Sequence, residues 1–349
     1  MKQIKNECTQ NSIDSEVKIL RQIKSHYAVL KKMNKWVVLG SASLLIGCSN
    51  QLGSTATAKS TLMPTLYDYS ITSGQNTALS LLALGQAVKD ADIILVGEWH
   101  GHPGVHLMQA QLLAQLYSQN INLVLSMEQF SRDHQKILNQ YLTGEIGEKA
   151  LIKNTNAWSN YSSDYRPLVE FAKQNSLDVI AANAPKTIVR CIGKNGAEYL
   201  TRLPLNERKW VAQQLTLTAD GYQEKFNSLM HHGDEVKTKQ QFAAQTTWDD
   251  TMAESMVNYL AKHPGRQIMH VAGRFHVAEG LGIASRIKSR NANLNVVMIT
   301  PVTETSSISP EAIDYRLSVM PLPKSYVNKD EMKLAMKGLH SRNKDLKCY

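Results

Sequence analysis

Five short, uninterrupted apolar runs set the limits on what this 349-residue chain can fold into. They are Ile93-Ile94-Leu95-Val96, Leu123-Val124-Leu125-Ser126-Met127, Val179-Ile180-Ala181-Ala182, Ile268-Met269-His270-Val271-Ala272 and Val296-Val297-Met298-Ile299. Runs this short, with no polar alternation, suit strands covered on both faces, as in a parallel sheet between helix layers. Helical periods lie between them. Val105, Met108, Leu112, Leu113 and Leu116 share one face, Ile137, Tyr141 and Leu142 begin a second, and Leu168, Phe171 and Ala172 a third. The expected fold is α/β, with a mostly parallel central sheet flanked by helices. From about 186 to 262 no convincing β run occurs, and Leu205–Leu217, Tyr222–Met230 and Gln240–Leu260 read as helices, so this stretch is expected to be a helical insertion. The residues after about 301 carry scattered Pro and Lys and predict no definite element.

Polar residues cluster where the β runs end. The first run leads into Gly97-Glu98-Trp99-His100, the second into Glu128, the third into Asn183-Ala184-Pro185, and the fourth into Gly273-Arg274-Phe275-His276. The carboxyl edge of an open α/β sheet is where ligands bind. Gly-x-x-His therefore occurs twice at equivalent places. Glu98, His100, Glu128 and His276 together could hold a divalent metal or carry out acid–base chemistry. The plainer reading is that they cap helices and satisfy loop hydrogen bonds. His102 and His106 read as capping or solvated residues rather than ligands.

The formal charge of +9 is concentrated at the front: residues 1–47 hold eight Lys/Arg and three Asp/Glu, which leaves +4 on the rest. That balance, with no basic run interleaved with aromatics, gives no case for a nucleic-acid partner. Lys31-Lys32-Met33-Asn34-Lys35, the uncharged stretch Trp36–Ile46 and Leu45-Ile46-Gly47-Cys48 have the order of a secretory signal ending in a lipobox. Residues 1–47 are thus expected to be an extension and signal peptide, with Met33 as an alternative start, and Cys48 to be lipidated (palmitate among its acyl chains). Residues 48–65, rich in Ser, Thr, Gly and Ala, read as a flexible tether to a domain over 66–349. Ser49 favours outer-membrane sorting in a Gram-negative envelope. No metal motif spaces the four cysteines, Cys8, Cys48, Cys191 and Cys348. After export, Cys191 and Cys348 either pair or stay free.

The segment Ile94-Leu95-Val96-Gly97-Glu98-Trp99-His100 resembles the opening motif of the ChaN family, part of the wider Tiki/TraB-like superfamily. Met127-Glu128-Gln129-Phe130, Tyr141-Leu142-Thr143-Gly144, Trp158 with Tyr165–Ala172, Ala181–Pro185, Gln245–Ala253 and Val271–Val277 are similar too, in family order from about 91 to 300. The resemblance implies a membrane-anchored, haem-binding lipoprotein in haem or iron uptake. It also implies a haem-mediated homodimer, a tyrosinate on ferric iron and polar groups on the propionates, with an outer-membrane haem receptor as a candidate partner. Tyr222 is the first candidate ligand, on an exposed helical cap with Lys225, His231 and His232 as propionate partners, and Tyr165 and Tyr161 are its rivals. Trp99 is expected to narrow the space beside His100. No C-x-x-C-H occurs, so any haem is held without covalent attachment. The competing function is a metal-dependent hydrolase of the Tiki peptidase type, built on Glu98, His100, Glu128 and His276. A third is an envelope interaction module without either activity.

Overall fold

The computed structural model describes residues 64–230, 234–340 and 346–349. Eight strands form one sheet in the order β2-β1-β8-β7-β3-β6-β4-β5. They are β1 (Tyr69–Thr72), β2 (Ala78–Leu79), β3 (Ile93–Glu98), β4 (Leu123–Ser131), β5 (Val179–Asn183), β6 (Gln267–Gly273), β7 (Val296–Val302) and β8 (Tyr315–Val319). Pairings from β8 to β5 are parallel, while β1 runs antiparallel to both β2 and β8. All five expected runs are strands. β1, β2 and β8 are not legible in the sequence, because they are short, partly exposed strands without an apolar run.

The principal helices, in chain order, are α1 (Leu81–Ala87), α2 (Pro103–Gln119), α3 (Gln135–Leu142), α4 (Glu148–Asn154), α5 (Arg166–Gln174), α6 (Lys186–Asn195), α7 (Gly221–Met230), α8 (Glu235–Lys262), α9 (Ile283–Arg290) and α10 (Lys329–His340). Alternation along each strand splits the core in two. Ile94, Val96, Leu125, Met127, Met269 and Val271 pack with Met108 and Leu112 of α2 and Leu168 of α5. Ile93, Leu95, Val124 and Ile268 face the other way, onto Met252 and Met256 of α8 and Ile283 and Ile287 of α9. Each such side chain, fully buried, contributes about 1.5–3 kcal/mol. Start signals agree with the helices. Asp234 caps α8 by accepting from the Lys237 N–H at 3.0 Å. Pro103 opens α2 behind His102, whose ring accepts from the Val105 N–H at 3.4 Å.

Between β5 and β6 the chain is helical, as expected, with one correction. The stretch Leu205–Leu217 forms only one helical turn, Leu205–Arg208. Beyond it, the N–H groups of Ala212, Gln213 and Thr216 donate to Thr251, Glu254 and Asp250 of α8 instead of to helical carbonyls. A disulfide joins Cys191 of α6 to Cys348, with Cα atoms 5.7 Å apart, and so fixes the end of the chain. No helix among the described residues is long and apolar enough to cross a membrane. Cys8, Cys48 and the expected signal and tether up to residue 63 lie outside the described residues, as do His231 and His232.

Candidate functional site

β3 is a central strand, and its last residue, Glu98, pairs in register with Gly273 at the end of β6. This position buries the Glu98 carboxylate and surrounds it with donors. Tyr165 OH donates to Oε1 at 2.6 Å, Gln129 Nε2 to Oε1 at 3.2 Å and Gln109 Nε2 to Oε2 at 2.9 Å, and His100 Nδ1 lies 2.7 Å from Oε1. Burial alone would raise the carboxyl pKa, but hydrogen bonding to His100 and the nearby imidazoles hold it below its ordinary value. The His100 ring is pushed the other way: burial opposes its charge, and Glu98 and Glu128 outweigh burial and raise its pKa. A π-type turn over Tyr161–Tyr165 brings Tyr165 under this carboxylate.

Glu128 and His276 form the second half. The β4–β5 register shifts between Met127 and Ser131, a bulge that re-aims the strand where Glu128 lies. Glu128 Oε2 accepts from the Gly273 N–H at 2.6 Å, and Oε1 lies 3.8 Å from His276 Nε2. His276 Nδ1 lies 2.8 Å from Asp249 Oδ1, on α8. Burial opposes charge on this ring, yet Asp249 and Glu128 prevail, and its pKa is pushed up to about 9. Behind Asp249, Tyr222 donates to Oδ2 at 2.7 Å, and Gln245 donates to the Tyr222 hydroxyl at 2.9 Å. Gly273 separates the two halves: a Cβ there would sit 3.2 Å from His100 Nε2 and 3.5 Å from His276 Cδ2.

The two halves share a cleft of about 800 Å³ at the carboxyl edge of the sheet, with Trp158 and Trp248 among its lining residues and Lys186 at the start of α6. That volume is in the range of small-molecule and cofactor sites. The structure thus brings His100, Glu128 and His276 to one cleft, with Glu98 buried behind His100. Among the described residues, no three His, Cys, Asp or Glu are arranged to hold a metal ion. The acids face hydrogen-bond donors and imidazoles rather than a common centre.

The helical-cap candidates correct the sequence reading. Tyr222 is fully buried rather than exposed, because its ring packs with Phe226 and Phe242 and its hydroxyl is held by Asp249. Burial and Asp249 raise its pKa well above the ordinary phenol value. Tyr165 is equally buried and its pKa is likewise raised, by burial and Glu98. Tyr161 is buried against Phe130. Lys225 is drawn to Glu279 at 3.1 Å. Trp99 does not narrow the cleft; it packs beside Arg274 and His102. His102 caps α2 as expected, but both His102 and His106 are buried, not solvated. Asp249 and Gln129 stand in the sequence as members of family-like segments without an assigned role, and Gln109 is not singled out there at all. Their only signal was proximity to Trp248 or Glu128 within motif segments, or one helical turn from His106.

Residues 84–287 match the family model described as haem-binding uptake, Tiki superfamily, ChaN. The chain belongs to the ChaN family. Its fold is that of ChaN of Campylobacter jejuni, a structure described as showing cofacial haem binding: TM-score 0.58 and 18% identity, over 73% of this chain and 98% of that one. A mutant of the erythromycin esterase EreC, in its open conformation, aligns at TM-score 0.43 and 14% identity over 78% of this chain and 87% of that one. No curated protein sequence matches the chain. Within this ChaN-family chain, the matched residues contain every side chain of the cleft described above.

Proposed function

We propose that this chain is a haem-binding lipoprotein of the bacterial envelope that serves haem or iron uptake. The match to the ChaN family over residues 84–287 carries this reading. Trp158 and Trp248 in the cleft offer indole faces to a flat macrocycle, and Lys186 a cation for a carboxylate edge. Bound haem supplies an iron centre; the chain binds it, orients it and limits its contact with water. Lipid on Cys48 would hold the domain at the outer membrane, and haem would bridge two copies and pass from or to an outer-membrane receptor.

Titration of the full chain in detergent with hemin tests this reading. A saturable Soret shift is expected; a non-saturating change overturns it. Cys48→Ala is expected to move the protein out of the membrane fraction and abolish palmitate labelling.

The pairing of Glu98 with His100 at 2.7 Å, beside His276, favours a second reading, ester or peptide hydrolysis with His100 as base. Turnover of a model ester that disappears in His100→Ala, with or without added divalent metal, would support it.

A further inference from the structure

We propose that the C-terminal segment 321–349, with α10 at its centre, docks on an anionic phospholipid surface. This takes the envelope location from the reading above and adds a second membrane contact to the one at Cys48.

The segment leaves the sheet at the end of β8 and is tied back to the domain. β8 runs parallel to β7, so its last residue, Val319, lies at the carboxyl edge of the sheet. The next carbonyl, of Met320, accepts from His102 Nε2 at 2.8 Å. At the far end Cys348 is bonded to Cys191 of α6, and the Tyr349 N–H donates to the Tyr199 hydroxyl at 3.3 Å. Between these fixed points, every residue from 321 to 335 is exposed. The start of α10 is held by its own neighbours. Asn328 Oδ1 accepts from the N–H groups of Asp330 at 3.1 Å and Glu331 at 2.9 Å, and Glu331 Oε2 accepts from the Val327 N–H at 2.7 Å. A helix of 12 residues is marginal in water without packing, so a surface that covers α10 stabilises it.

That surface must accept apolar side chains. Leu322, Tyr326, Val327, Met332 and Leu334 are all exposed, Val327 at 85% and Leu334 at 71%. Large hydrophobics gathered on so short a stretch mark an interaction surface. Charge names the occupant. Residues 321–349 hold seven Lys/Arg and three Asp/Glu, a net +4. This is the whole +4 of residues 48–349, so the remainder of the domain balances to zero. Lys324, Lys329 and Lys333 stand among the exposed apolar residues. Lysine interleaved with apolar side chains suits the boundary between anionic headgroups and acyl chains. A second copy of the chain would bring the same positive charge to the contact. A nucleic acid would find one aromatic ring between 321 and 340, that of Tyr326, on which to stack.

Hydrogen–deuterium exchange on the full chain in phospholipid vesicles tests the proposal, with phosphatidylcholine alone or with added phosphatidylglycerol. Amides of 321–340 are expected to exchange roughly tenfold more slowly with phosphatidylglycerol, and high salt should reverse this. Lys329→Gln with Lys333→Gln should weaken the contact roughly 30-fold and remove most of the protection. Met332→Ser with Leu334→Ser should remove it as well. Equal exchange in the two kinds of vesicle, or protection that survives both double variants, would overturn the proposal. So would protection in Cys48→Ala that rises with protein concentration in the absence of vesicles, which would make the occupant a second copy. Cys48→Ala also separates this contact from the lipid anchor. Added to an excess of preformed vesicles, it should keep the phosphatidylglycerol-dependent protection. Palmitate labelling absent from the wild type, with this protection present, would overturn the anchor and leave the contact standing.

Discussion

At the residue scale, the charge on His276 is tied to the acids around it. Burial disfavours the imidazolium, but Asp249 and Glu128 raise the folded-state pKa to about 9, above the ordinary histidine value. The stabilisation from a raised pKa is complete below about pH 6.5 and is lost as pH rises through the folded value. Urea unfolding is therefore expected to show stability falling between about pH 6.5 and 9, with a smaller fall in His276→Gln; equal slopes would contradict this assignment. Gly282 lies behind the same ring, and a Cβ there would come within 2.3 Å of the His276 carbonyl oxygen and 3.1 Å of Asp249 Oδ1. The near atom is backbone and does not swing aside. Gly282→Ala should cost about 1–3 kcal/mol, read as a lower denaturation midpoint. His100, Glu128 and His276 were legible because each lies within a few residues of the carboxyl end of a buried strand. Tyr222 was misread because amphipathic spacing does not reveal that α7 turns its tyrosine inward onto Asp249, 27 positions away.

At the element scale, β5 is one of the two outer strands of the sheet, and a side chain hydrogen-bonds along its free edge. Gln135, at the start of α3, donates to the Val179 carbonyl and accepts from the Ala181 N–H, both at 2.8 Å, as a neighbouring strand would. Gln135→Ala should cost about 1–3 kcal/mol and increase edge-to-edge association, detectable by light scattering. The Cys191–Cys348 bridge spans 157 positions and anchors the tail to α6. Replacing both cysteines with serine should lower stability by about 2–5 kcal/mol, and reductant should then leave the variant's unfolding curve unmoved. The buried strands could be read because a strand covered on both faces needs an unbroken apolar run. The short strands β1 and β8 could not, because they depend on pairing between segments far apart in the chain. The Leu205–Leu217 stretch failed for a related reason: its backbone donors are claimed by α8, a tertiary contact that periodicity does not register.

For the whole molecule, the parallel order β8-β7-β3-β6-β4-β5 places the ends of β3, β4, β5 and β6 side by side, and that adjacency gathers residues 100, 128, 183 and 276 around one cleft, with Glu98 buried behind His100. The sequence indicates the edge, since each polar cluster follows a strand. It does not indicate the sealing of Glu98 by three donors from separate elements, because Gln109, Gln129 and Tyr165 meet only when the sheet and α2 assemble. The proposed haem-binding function puts the ligand at that carboxyl edge, in the cleft that the family-matched residues enclose. The structure of the full chain with hemin, determined by crystallography, tests that account most directly. The proposal predicts a macrocycle in the cleft beside Trp158 and Trp248. A macrocycle bound elsewhere on the domain, or a haem-saturated protein with the cleft filled only by water, would contradict it.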